Sequence, residues 1–361
     1  PESLPLDIQP ESLAVAPIQP DLRTNASEQL TTSGDPVFPR LAEIVGFIQA
    51  AGHFERSMIE RLHIGIWAQP IRHFAVLTGL SGSGKTLLAR LYASALIGRG
   101  SPKQLFTLPV QPGWYDPGAL LGFTNPLRGD SYVRTPFLEF LLAAAADLRR
   151  PYIVVLDEMN LSHPEQYMAP LLSAMETGDA VQLHTEGDIF DGVPRAIPYP
   201  RNLVLIGTIN MDETTHGLSD KVLDRAFVHE FWNIDVASYP RWGTRQIEPA
   251  NEDRARVVLV SLMKALSPAR LHFGWRVVDD VLDFLSRAVT DESELSFESA
   301  LDSVINAKVL PKLRGEDSAR FREALRICEE TLPTERFEVS GAKITELRRD
   351  LETTGSARFW R

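Results

Sequence analysis

Five residues of this 361-residue chain have types and settings suited to phosphate chemistry: Lys85, Thr86, Asp157, Glu158 and Asn210. Lys85 and Thr86 close the octapeptide Gly79-Leu80-Ser81-Gly82-Ser83-Gly84-Lys85-Thr86, which fits the pattern G-x-x-x-x-G-K-[ST] at every fixed position. A glycine-rich turn lets backbone N–H groups wrap a phosphate, and a helix starting there adds the positive end of its dipole. Lys85 is then expected to reach the β- and γ-phosphates of a nucleotide, and Thr86 to place its hydroxyl on Mg²⁺. Asp157-Glu158 ends the apolar run Tyr152-Ile153-Val154-Val155-Leu156. Ligands of open α/β sheets gather beyond the carboxyl ends of strands. Asp157 is therefore expected to hold Mg²⁺, directly or through water, and Glu158 to orient or deprotonate an attacking water. Asn210 follows a third apolar run, Asn202 to Gly207. Its amide either positions that water or caps the next turn.

These residues need strands that end together and helices that cover them. His73 to Leu77 reads as a strand leading into the octapeptide, and Leu87 to Tyr92 as an apolar helix leading out. Helical spacing runs through Leu41, Ile44, Val45 and Ile48, and again through Met58, Ile59, Leu62 and Ile66. A short strand is expected at 105–110, a turn-rich segment at 114–118, and helices over 136–148 and 164–176. Hairpin inserts are expected near 123–133 and 180–200. Strands alternating with helices predict an α/β, doubly wound core over 38–244. Beyond it, helical periodicity at 253–266, 276–289, 297–309 and 317–331 predicts a smaller all-helical domain over 245–361. Residues 1–37 carry six prolines and a loose Pro-Glu-Ser-Leu repeat, which reads as a linker or tail with a further domain attached upstream.

Composition narrows the field. With 44% hydrophobic and 24% charged residues the chain is of ordinary globular type. No apolar run reaches the roughly 18 residues of a membrane span, and no secretory signal is visible at the start. The net charge of −11 argues against nucleic-acid binding through bulk electrostatics, though not against a local basic loop. A single cysteine, Cys328, rules out an internal disulfide framework and reads as a small apolar side chain in a helix. The eight histidines show no ligand spacing and are expected at the surface or satisfied in the core. The cytoplasm is the expected compartment.

The ordered set of octapeptide, Leu156-Asp157-Glu158 and Gly207-Thr208-Ile209-Asn210, with a helical domain behind, resembles the AAA+ superfamily. Finer words resemble its McrB-like branch, related to MoxR, dynein and midasin modules. Leu156-Asp157-Glu158-Met159-Asn160-Leu161 is similar to the "DEMNL" segment of that branch, and Gly207 to Asp212 to its "GTMN" first sensor. Leu271-His272-Phe273-Gly274-Trp275-Arg276-Val277-Val278-Asp279 is similar to the stretch that opens its second-sensor helix. The resemblance covers about 40 to 290. It implies an AAA+ P-loop NTPase core and a helical lid, with ATP or GTP and Mg²⁺ as cofactors. Gly79 to Thr86 would bind the phosphates, Thr86 and Asp157 the metal, and Glu158 the water. Asn210 would be the first sensor and Arg276 the second. Ser219 to Phe227 resembles the "LDRF" helix end of MoxR relatives, which makes Arg225 the candidate arginine finger given to a neighbouring subunit. The inserts correspond in position to loops that decorate the branch and often face a ring's pore. There Arg128, Arg134 and Arg195 would either touch a threaded partner or remain solvated.

The chain departs from McrB at Asn210-Met211-Asp212-Glu213 and at Leu223-Asp224-Arg225-Ala226-Phe227, so a preference for GTP does not carry over. No N-K-x-D guanine motif is present. The implied function is a ring-forming, hexameric NTP hydrolase serving a McrB-like DNA restriction or defence complex. Its nuclease would be a separate subunit, its DNA contact would lie in an upstream domain, and no membrane would be involved. The alternative is a MoxR- or midasin-like chaperone that remodels a protein complex. A small-molecule kinase lacks the sensor asparagine and trailing helices. A nucleotide-locked scaffold would not need Glu158.

Overall fold

The computed structural model describes residues 38–360, apart from 99, 101, 126, 128–130 and 212–215. The expected linker over 1–37 and the candidate pore residue Arg128 lie outside the described residues. At the centre is a five-stranded sheet. Its order is Phe227–Phe231, Phe74–Gly79, Leu203–Asn210, Tyr152–Asp157 and Leu105–Pro109. Every neighbouring pair is parallel.

The continuous apolar strands follow from burial on both faces. Side chains alternate across a strand. Ile153 and Val155, with Ala75, Leu77, Val204 and Ile206, therefore pack against the helices Leu41–Ala51, Arg56–Trp67 and Lys85–Ile97. Val154 and Leu156, with Phe74, Val76, Leu203 and Leu205, pack on the other face. They meet Phe137 and Leu141 of the helix Pro136–Ala146 and Leu171 of the helix Ala169–Thr177. Each such Val, Leu, Ile or Phe side chain taken from water stabilises the core by about 1.5–3 kcal/mol. A mixed α/β core with a parallel sheet is thus present, as the alternation of apolar runs and helical periods implies.

Three features differ from the sequence reading. The strand Phe227–Phe231, at the edge of the sheet, was not anticipated, because its five residues include His229 and Glu230. The helical stretch 164–176 is two pieces, Pro164–Tyr167 and Ala169–Thr177. Pro170 has no N–H to continue the first piece and sits instead in the first turn of the second. The C-terminal region is not all helical. Arg314–Glu316 pairs antiparallel with Ser356–Arg358. Strands of three residues are too short to show an alternating pattern, and this pair is joined over a long sequence separation. A further helix, Glu338–Thr354, also fills the terminal stretch.

The C-terminal helices enclose their own apolar cluster, built on Leu259, Leu262, Val278, Val281, Leu282, Ile305, Leu325 and Leu347. Ile234, Val236 and Tyr239 already pack into it, about ten residues before the expected boundary at 245. Leu80, from the glycine-rich turn, is buried in the same cluster. The expected inserts are antiparallel hairpins, Phe123–Asn125 with Ser131–Val133, and Val181–Gln182 with Ala196–Ile197 enclosing a smaller one. Among the described residues no helix is long and apolar enough to cross a membrane.

Candidate active site

Parallel strands place their carboxyl ends along one edge, and the register aligns those ends. Gly79 lies opposite Asn210, and Gly207 opposite Leu156. The turn 79–86, Asp157-Glu158 and Asn210 therefore meet at a single edge of the sheet. The turn itself depends on glycine: Gly82 and Gly84 have φ of 72° and 97°, a left-handed region that side chains disfavour. Gly84 then caps the helix Lys85–Ile97, whose first N–H groups point into the turn.

Side-chain bonds tie the strand ends together. Lys85 is buried, and its Nζ donates to Gly79 O at 3.1 Å and Leu80 O at 2.5 Å, inside the turn. Thr86 Oγ1 donates to Asp157 Oδ1 at 2.8 Å. Thr208 Oγ1 donates to the same carboxylate oxygen at 2.7 Å and accepts from Glu158 N at 3.1 Å. Asn210 Nδ2 donates to Glu158 Oε1 at 2.9 Å. Asn210 thus points at the carboxylate and does not serve only as a turn cap. Glu158 has a left-handed backbone, φ 52° and ψ 48°. A non-glycine residue in that region holds stored strain of about 1–3 kcal/mol and persists only where its surroundings fix it.

Arg276 enters from the C-terminal region. It is the second residue of the helix Trp275–Thr290, and its N–H donates to Gly82 O at 3.4 Å. The approach is close enough that a Cβ on Gly82 would lie 2.7 Å from Arg276 Cβ. A Cβ on Gly274 would lie 2.5 Å from Ser81 O. The Arg276 side chain is exposed beside the turn.

Arg225 is not brought to this cluster. Its Nε donates to Leu172 O at 2.9 Å and its Nη1 to Lys221 O at 2.7 Å, with Glu176 3.5 Å from Nη2. Arg134 likewise has local partners: Glu139 at 3.0 Å and Asp191 O at 2.8 Å, the second of which staples the two inserts together. Arg195 is exposed, and its backbone N–H donates to Asp188 O at 2.9 Å.

Two contributions escaped the sequence reading. Thr208, although part of the Gly-Thr-x-Asn stretch, received no role there. Only the parallel register shows that it faces the residue pair 157–158. The second is a cleft of about 560 Å³ beside Ser83. Phe54, Glu55 and Met58 line it from around the N-terminal helices, and Trp232, Arg270, His272 and Trp275 from the C-terminal region. A space of this size and mixed lining suits a small organic ligand. His272 Nε2 donates to Trp232 O at 2.9 Å, and burial lowers its pKa from the ordinary 6.5. Its lining comes from segments far apart in sequence, so no local pattern signals it.

Among the described residues no group of three or more His, Cys, Asp or Glu is arranged to hold a metal ion. One carboxylate and one hydroxyl, Asp157 and Thr86, still suit Mg²⁺, which keeps several waters and uses few protein ligands beside phosphate oxygens. The two are already within hydrogen-bond distance of each other.

The family model described as a domain of unknown function, DUF8727, matches residues 233–356. The match begins where packing passes from the sheet to the C-terminal cluster. No curated protein matches the chain.

Proposed function

We propose that this chain is a Mg²⁺-dependent nucleoside triphosphatase of AAA+ type. In this reading it is the ring-forming motor subunit of a McrB-like DNA restriction or defence complex. One observation carries the hydrolase reading: Lys85, Thr86, Asp157, Glu158, Thr208 and Asn210 converge at the carboxyl edge of a parallel sheet, beside a glycine-rich helix start.

The turn N–H groups and Lys85 bind the β- and γ-phosphates, and the nucleoside occupies the adjoining cleft. Mg²⁺, held by Thr86 and Asp157, would neutralise charge between the phosphates. Glu158 accepts the proton of the attacking water, and Asn210 fixes the direction of its carboxylate. Arg276 stands at the turn to meet charge on the γ-phosphate. Arg225 reaches a neighbour's site only after leaving Leu172, Lys221 and Glu176. The Ser219–Phe227 stretch supports the second reading, a MoxR-like remodelling chaperone with the same chemistry and a protein client.

Phosphate release from ATP and from GTP, with and without DNA, tests the proposal. Lys85→Ala is expected to lower turnover by at least about a hundredfold, the scale of losing a charge-stabilising donor. Unchanged hydrolysis by Lys85→Ala would remove the assignment. Stimulation by DNA favours the restriction motor, and stimulation by a protein client alone favours the chaperone.

A further inference from the structure

We infer that Asn160 is a positioning residue, which anchors the turn carrying Glu158 to His216. The inference rests on the triphosphatase reading and adds a residue to it. Asn160 lies in the short turn Met159–Leu161, directly after Glu158, and is 2% exposed. A buried amide is costly unless it is hydrogen-bonded. Asn160 Nδ2 donates to His216 O at 3.2 Å, and His216 N donates to Asn160 O at 3.2 Å. The pair is therefore reciprocal, and it joins residues 56 apart in sequence. The rings of His216 and His163 lie 3.9 Å apart and bring the same two segments together a second time.

The consequence lies in where Asn160 sits. Asn210 bonds Glu158, and His216 bonds Asn160 two residues further on. The short turn that carries Glu158 is thus held from both of these residues. Glu158 needs such support, because its left-handed backbone is unfavourable on its own. Thr208 holds its N–H, and Leu161 N holds its carbonyl at 2.9 Å. Asn160 fixes the turn between them. Without the Asn160 amide the turn loses its anchor to His216, and the Glu158 carboxylate loses its fixed direction. No atom of Asn160 has to touch the substrate for this effect.

Asn160→Asp keeps the shape and removes the Nδ2 donor, while Asn160→Ala removes it without adding charge. In the full chain, both are expected to lower turnover about 10- to 100-fold, the usual effect of removing a supporting partner of a reactive group. Affinity for a fluorescent non-hydrolysable triphosphate is expected to stay within about threefold, so that kcat falls without a matching loss of binding. In a Glu158→Gln background neither substitution is expected to lower turnover further, because the group being positioned no longer acts. Wild-type turnover in both Asn160 variants overturns the inference. So does an equal loss of affinity and turnover, which marks a general packing role. Failure of the triphosphatase reading looks different: the unaltered chain does not turn over, or Glu158→Gln turns over at full rate, and the role of Asn160 falls with it.

Discussion

Asn210 Nδ2 donates to Glu158 Oε1 at 2.9 Å, so an amide and a carboxylate 52 residues apart meet at one end of the sheet. Asn210 ends the strand Leu203–Asn210, and Glu158 directly follows its parallel neighbour Tyr152–Asp157. Thr86, Asp157 and Thr208 form a second linked set at the same edge, sharing Asp157 Oδ1. The edge therefore carries two carboxylates with different surroundings. Asp157 accepts from two hydroxyls, and Glu158 faces an amide. In the proposed hydrolase the first would hold the metal and the second accept the proton.

Thr208→Val should expose how far the two sets depend on one hydroxyl. Valine keeps the shape but leaves Glu158 N without its partner and Asp157 Oδ1 with one donor fewer. A buried group stripped of its partner costs about 1–3 kcal/mol. The expected outcome is a loss of that size in urea unfolding, together with reduced turnover and a raised Mg²⁺ requirement. Unaltered stability and unaltered Mg²⁺ dependence would show that the hydroxyl links nothing.

The outline of the core was legible because its signals are local. Strands such as Tyr152–Asp157 are apolar at almost every position, since both faces are covered, and the turn 79–86 has a fixed glycine pattern. Thr208 and Asn160 were not legible as site residues. Their roles come from register and from contact with His216, neither of which leaves a mark in nearby sequence. The strand Phe227–Phe231 was hidden because the two polar residues His229 and Glu230 interrupt its apolar run. Arg225 shows the reverse case. A motif likeness gave it a role, and the fold gives its guanidinium local partners.

Buried and half-buried histidines set a pH limit on stability. Burial lowers the pKa of His63, His73, His229 and His272 below the ordinary 6.5. As the pH falls through about 6.5, the unfolded chain takes up protons that the folded chain refuses, so the folded state loses stability. Above that value both states are neutral and the effect vanishes. Urea unfolding is therefore expected to show stability falling from pH 7.5 to 5.5, the interval to which histidine titration is the main contributor. A constant or rising stability over the same interval would show that burial does not keep these rings neutral.

Gly274→Ala tests whether the C-terminal region must sit on the glycine-rich turn for a nucleotide to bind. Gly274 has φ −88°, so alanine suits its backbone and any effect must come from space. The added Cβ would stand 2.5 Å from Ser81 O and 2.6 Å from Gly82 C, both backbone atoms that cannot rotate away. The start of the helix Trp275–Thr290 must then lift from the turn, taking Arg276 with it. Nucleotide affinity, read with a fluorescent triphosphate, is expected to fall by about tenfold or more, since small displacements of binding groups have effects of that size. Gly46→Ala is the control. It lies within the helix Leu41–Ala51, a Cβ there meets nothing within 4 Å, and alanine is favoured in a helix by about 1 kcal/mol. It should bind as the unaltered chain does and unfold at slightly higher urea. Equal binding by both variants would show that the contact between Gly274 and the turn is not needed for nucleotide binding.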